Sequence, residues 1–195
     1  MNMITKPEVS GLQSALTSIG YSYGKGLSLS DGIRVSSSLV RHPINSGHLN
    51  FLSGVNVTMD VRASIKWWQQ AERYHFFQLV MSESVMHSIT HADPDDLRFA
   101  LGTPQSTIKA FIDAIKKYKN GVIDKTGLIY SVPVGLIEKC HVSTNYLQLM
   151  NMYTQRHDHP LPEWGDFCSD LLNSDHFPML GTFITIHMDK EKTHD

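Results

Sequence analysis

The sequence is sparing in the features that usually place a protein. It has only two cysteines, Cys140 and Cys168, far apart and in no CxxC pair, which argues against a disulfide between them. Two buried thiols in a reduced cytoplasmic setting are expected instead. No run of about 18 apolar residues occurs, so no membrane-spanning helix is expected. Met1 to Gly20 includes Lys6, Pro7 and Glu8 and lacks a continuous apolar stretch, which argues against a signal peptide. Seventeen Lys and Arg against 19 Asp and Glu give a net charge of −2, and no basic stripe stands out. That argues against a dedicated DNA or RNA binder, because neutralising a phosphate backbone needs clustered cations. A single nucleotide needs only a few placed donors and stays open. Gly24-Lys-Gly26 lacks the spacing of a dinucleotide fingerprint or a Walker loop and reads as a flexible loop.

What is present is the composition of an ordinary globular domain, with 41% hydrophobic and 18% charged residues over 195 positions. No repeat and no interdomain linker interrupts it, so residues 1–195 are expected to form one domain. Histidine is plentiful, with 11 copies, and His157 and His159 flank Asp158. An HxH pair lacks the further ligands a stable metal site needs, so no metal site is expected.

Periodicity predicts a mixed α+β chain. Leu12, Ala15, Leu16 and Ile19 share helical spacing after Ser10, a plausible cap. Tyr21 to Ser38 is rich in Gly and Ser and reads as loop. From Val55 to Val61 apolar and polar residues alternate, the mark of a half-buried strand. Ala63 to Ala92 has neither Gly nor Pro and predicts one long helix, on which positions 75, 79, 82 and 86 would share a face. Thr103 and Pro104 open a helix to about Lys119. Residues 128–134 read as extended. Further helices are expected over 143–157 and 162–172, and a final strand over 182–188.

Three blocks then resemble one family. Gly47-His48-Leu-Asn-Phe-Leu52 and the strand after it are similar to a Gly-His-x-Ser-x-x-Glu-His segment leading into Phe-Thr-Phe, with Thr58 on the strand threonine. Tyr74-His75-Phe76 and Met81-Ser82-Glu83-Ser84-Val85-Met86 fall on an Arg-His-Arg … Asn-Glu-x-Ser-x-Arg signature. Val132-Pro133, Asn145, Arg156 and Glu163-Trp164 fall on a Leu-Pro segment, a helix-opening asparagine, an arginine and Ala-Gln-Trp-Glu. In this order, over about 120 residues, the blocks resemble the flavin-dependent thymidylate synthases.

The resemblance implies a homotetramer with sites at subunit interfaces. It also implies FAD as cofactor, NADPH and methylenetetrahydrofolate as co-substrates, and methylation of dUMP at C5 to give dTMP. The runner-up is a nucleotide-binding protein on the same fold that senses or sequesters its ligand without redox chemistry. By the same carry-over Ser84, Glu83 and Arg156 are candidate nucleotide contacts. His75, Asn145, Arg73 and Tyr74 are candidate cofactor contacts, and no catalytic residue is assigned. Each also has a plain structural use: a helix serine, a surface ion pair, a helix cap, a core histidine. Tyr74, Phe76 and Met86 stand where the family has arginines, and Gly54 where it has a flavin-side histidine. Arg73 and Lys66 lie close enough to compensate in part.

Overall fold

The computed structural model describes residues 2–191, with Met1 and residues 192–195 outside it. Four strands form one antiparallel sheet: β1 (Ile4–Ser10), β2 (Asn56–Ser64), β3 (Gln78–Ser82) and β4 (Ile137–Asn145), in the order β1-β2-β4-β3. The helices are α1 (Leu12–Ser18), α2 (Leu29–Leu39), α3 (Ile65–Ala71), α4 (Val85–His91), α5 (Gln105–Lys119), α6 (Lys125–Tyr130), α7 (Tyr146–Arg156), α8 (Pro162–Leu171) and α9 (Leu180–Glu191). Helices and an antiparallel sheet in one chain are the α+β class expected.

The alternation read in the sequence sorts the two faces of β2. Val57, Met59, Val61 and Ala63 point into the main core, opposite Cys140 and Val142 of β4. There they meet an aromatic cluster in which Trp67 lies 4.7 Å from Trp164 and 5.1 Å from Phe167. A second, smaller core lies between β3 and β4 in the chain: Ile89, Phe111, Ile115 and Leu128, supplied by α4, α5 and α6, with Leu136. The chain thus leaves the sheet after Ser82, builds a helical unit with its own apolar centre, and returns at Ile137.

Several sequence expectations are corrected. The long helix over 63–92 is instead the end of β2, then α3, then β3 and α4. Ser64 caps α3 by accepting from the Trp67 amide at 3.1 Å, and the helix ends once Trp67, Trp68 and Ala71 are buried. Gln78–Ser82 is held extended by β4, so positions 75, 79, 82 and 86 share no helical face. The loop expected over 21–38 contains α2, capped by Ser28 and brought so close to α1 that a Cβ on Gly32 would lie 2.6 Å from the Leu16 carbonyl oxygen. Ser10 ends β1 rather than capping a helix. Gly11 follows at φ 84°, where a side chain would run into the Gly54 carbonyl. Residues 128–134 form no strand: 128–130 are the last turn of α6, which Asp124 caps, and the chain then turns through Ser131 and Val134. The helix placed at 143 starts at Tyr146, after β4 has run to Asn145. Thr103 donates to the Ala100 carbonyl at 2.7 Å instead of capping α5. Residues 182–188 are helical, within α9.

Candidate functional site

The other face of the sheet is polar. Register places Asn56 beside Asn145, Thr58 beside Ser143, Asp60 beside His141 and Arg62 beside Lys139. β1 adds Glu8 beside Thr58, and β3 adds Gln78 beside Ser143 and Met81 beside His141. From the Arg62 row to the Asn56 row is roughly 20 Å at about 3.3 Å per residue.

The centre of this face is an ionic network. Asp60 is 7% exposed. Its Oδ1 lies 2.8 Å from His141 Nδ1, and its Oδ2 lies 3.1 Å from Lys139 Nζ and 4.0 Å from Lys6 Nζ. The hydrogen bonds from His141 and then Lys139, with the positive charge of Lys139 and Lys6, hold its carboxyl below the usual carboxylate range despite burial. This cluster was absent from the sequence reading. Its only local signal was a carboxylate in the polar register of an alternating strand, and its partner lies 81 residues away.

The sequence-nominated residues fall into two groups at opposite ends of β3. At one end Glu83 Oε2 accepts from the Lys139 amide at 3.1 Å, and Ser84 is the exposed residue before α4, with no side-chain capping bond. At the other end the segment before β3 runs along α7. Tyr74 is buried, donating to Gln155 Oε1 at 3.0 Å and accepting from Arg156 Nε at 2.9 Å. The Arg156 guanidinium lies 5.8 Å from the Tyr74 ring centroid and 5.2 Å from that of Trp164. Arg73 and His75 are exposed, and the His75 ring meets Phe76 edge-on at 4.8 Å. Asn145 caps α7 by accepting from the Gln148 amide at 2.9 Å. Gln148 Oε1 in turn accepts from the Phe76 amide at 3.4 Å, which ties this cap to the loop carrying His75. The Gln148 Nε2 group is buried without a partner among the described residues.

Two clefts separate the sheet from the helical unit. A polar one of about 540 Å³ is lined by Glu83, Ser88, His91, Arg98, Glu138 and Lys139, among others. An apolar one of about 590 Å³ lies between Phe99–Thr103, Pro133–Gly135 and Leu161–Glu163. Arg62 and Ile137 border both. Burial, then the charges of Glu83 and Glu72, raise the Glu138 carboxyl above its usual range.

Comparison with solved structures decides the fold. One structure of flavin-dependent thymidylate synthase ThyX from Helicobacter pylori, complexed with FAD and dUMP, superposes with a TM-score of 0.69 at 16% identity, covering 95% of this chain and 99% of the other. A second, of the same Helicobacter pylori enzyme with FAD and dUMP, gives 0.70 at 16% identity, covering 95% and 96%. The chain has the fold of the flavin-dependent thymidylate synthases. No family model matches the sequence, and no curated protein matches it.

On this thymidylate synthase fold both cysteines are free and buried, and burial pushes each thiol up to about 12. A thiol so disfavoured as thiolate is no nucleophile. The His157–His159 pair is engaged locally: His157 lies 3.1 Å from Asp158 Oδ2, and His159 Nδ1 accepts from the Leu161 amide at 3.0 Å. Among the described residues no three His, Cys, Asp or Glu side chains group as metal ligands, and no helix is long and apolar enough to cross a membrane.

Proposed function

We propose that the chain is a thymidylate synthase-like protein that binds a pyrimidine deoxynucleotide at the outer sheet face, in a site completed by a second copy. One observation carries this reading. The nominated residues lie at the two ends of β3, roughly 20 Å apart from residue 78 to residue 84, and β3 is an uncovered edge. All five of its residues are exposed, and Phe76, Val80 and Met81 are 57%, 57% and 73% exposed. An apolar strip of this kind marks an interaction surface. A two-fold axis through the middle of β3 would set the Gln78 end of one copy against the Ser82 end of its partner, since an isologous contact reverses direction. Ser84 and Glu83 of one chain would then approach His75, Arg73 and Asn145 of the other. A homotetramer would add a second isologous contact, on a different surface, about an axis at right angles to this one.

The residues at the His75 end fit FAD. Exposed His75 and Phe76 offer a ring system an aromatic neighbour, and Arg73 offers a pyrophosphate a cation without a side-chain partner among the described residues. When bound, FAD supplies the reducing equivalents for methylation of dUMP at C5, with NADPH as reductant and methylenetetrahydrofolate as carbon donor. Glu83 and Ser84 orient the nucleotide, and the apolar strip excludes water once covered.

A second reading, nucleotide binding without redox chemistry, is favoured by Arg156. Its Nε is engaged with Tyr74, and its guanidinium packs over two core rings. It braces the fold where the family's arginine is a nucleotide contact. Titration with FAD, followed by flavin fluorescence, and with dUMP, followed by calorimetry, separates the two. Stoichiometric binding of both, lost in Arg73→Ala for FAD and Ser84→Ala for dUMP, supports the synthase. Binding of dUMP alone supports the second reading, and binding of neither overturns both. Met81→Glu tests the interface, with dissociation to monomers in sedimentation as the expected result.

A further inference from the structure

We propose that Arg62, Lys139 and His141 form a phosphate seat on the outer sheet face, with Asp60 as the residue that positions it. None of these four was among the sequence candidates. The proposal deepens the nucleotide reading and rests on it for the identity of the ligand, a phosphomonoester.

The argument begins with an anomaly of pairing. Arg62 and Lys139 are direct cross-strand partners on one face, and like charges opposite one another in an antiparallel pair destabilise it. Lys139 is partly compensated by Asp60, 3.1 Å away. Arg62 is exposed, and its side chain has no ion pair or hydrogen bond among the described residues. It borders both clefts. A dianion between the two strands removes the repulsion and gives the guanidinium fork two oxygens to engage.

The adjacent row supplies a third donor. His141 lies beside Asp60 across the strands, and its Nδ1 is bonded to Asp60 Oδ1 at 2.8 Å. Ionised Asp60 is an acceptor only, so this contact assigns the proton to Nδ1. Nε2 then has no partner among the described residues on a side chain 42% exposed. It faces an oxyanion as a donor when the ring is protonated, and accepts from a protonated phosphate oxygen when it is not. Neighbouring and diagonal strand positions put the three residues' Cβ atoms within about 5–8 Å of one another on one face, from which three long side chains can converge on one phosphate. The charges facing the seat are Lys6 and Glu8 from β1, Asp60 and Arg62 from β2, Lys139 and His141 from β4, and Glu83 after β3; the cleft that Arg62 and Lys139 line adds Glu138 and, on the helical unit's wall, His91 and Arg98 against Asp93 and Asp96. Asp60 is already surrounded by His141, Lys139 and Lys6, so little of its negative charge opposes an incoming anion. Glu83 sits one strand over, where the nucleotide's sugar or base would follow the phosphate.

The test compares inorganic phosphate, dUMP and deoxyuridine by calorimetry on the full chain, in wild type and in Arg62→Ala, His141→Gln and Asp60→Asn. Wild type is expected to bind dUMP at least about tenfold more tightly than deoxyuridine, with Arg62→Ala and His141→Gln each removing about ten- to hundredfold of that preference, as loss of a charge-assisted bond predicts. Asp60→Asn is expected to weaken phosphate similarly and to scramble the imidazole tautomer, read from the ring nitrogen shifts of His141; a purely structural role would leave those shifts alone. If dUMP and deoxyuridine bind equally and the variants change nothing, the seat is refuted while the nucleotide reading stands. If inorganic phosphate binds through these residues and dUMP does not, the seat stands and the nucleotide reading falls. Absence of all three ligands overturns both. Arg62 is exposed, so its variant folds, and an unchanged circular-dichroism spectrum checks this.

Discussion

Removing the Glu163 carboxylate should loosen the molecule more than its partly exposed position implies. Glu163 opens α8 and reaches across to the end of β2, where its two oxygens accept from the Ser64 amide at 2.7 Å and the Ser64 hydroxyl at 2.6 Å. Ser64 is 1% exposed, and its hydroxyl oxygen also accepts from the Trp67 amide to start α3. One carboxylate therefore joins three elements around Trp67. A hydrogen bond to a charged group contributes about 1.5–3 kcal/mol, and a buried donor left unpaired costs about 1–3 kcal/mol. With partial exposure and the overlap between these two figures allowed for, Glu163→Ala should destabilise by about 2–3 kcal/mol. Ser64→Ala loses the cap, worth about 1 kcal/mol, and one of the two bonds, but keeps its amide paired with Glu163. It should cost about 2 kcal/mol, and the double variant should fall short of the sum by about 1 kcal/mol, because the two share a bond. Urea unfolding followed by tryptophan fluorescence reads all four proteins, with Trp67 and Trp164 both beside the perturbation. A loss under about 0.5 kcal/mol for Glu163→Ala, or strict additivity in the cycle, would refute the idea that this carboxylate ties the layers together.

Three further outcomes are expected. Arg62→Ala should raise the unfolding free energy of the ligand-free protein by about 0.2–1 kcal/mol, since it removes an opposed like charge, whereas a loss of stability would mean that Arg62 has a structural partner. The Asp60 carboxyl titrates below its unfolded value, so the folded state binds fewer protons there. Its contribution is full above about pH 4 and is lost as pH falls through the folded value, so acid unfolding of Asp60→Asn should show a shallower decline below pH 4 than wild type. Cys140 and Cys168, both raised to about 12, should resist a thiol reagent at pH 8 in the native protein and react fully in denaturant.

What the sequence disclosed depended on how local the cause was. The alternation of β2, the Pro162 start of α8 and the body of α5 follow from neighbours in the chain, and they stand where expected. β3 does not. Leu79, Val80 and Met81 fit a helix or a strand equally well by period, and pairing with residues 140–143, some sixty positions later, decides the matter. Phe183, Ile184 and Ile186 carry strand propensity yet lie in a helix, because α9 packs against α7 and there a helix buries Leu180, Phe183 and Ile184 together. The site shows the same division. Asn145 and Tyr74 could be nominated through the family resemblance, but the Asp60–His141 contact exists only once β2 and β4 are in register. Arg156 was nominated as a ligand contact, and its observed partners, Tyr74 and Trp164, come from parts of the chain about 80 residues before it and eight after it.

The helical unit between β3 and β4 leaves and rejoins the sheet at neighbouring positions, since Ser82 pairs with Cys140. Its entry and exit are therefore only about one strand spacing apart, some 5 Å, the geometry in which whole segments are inserted or replaced without disturbing a host. The register of the sheet is set by pairs among its own four strands, while the unit forms one wall of both clefts. In this chain a module of some fifty residues can therefore be exchanged to re-cut those walls while the Asp60–His141 pair, made by β2 and β4, stays in place.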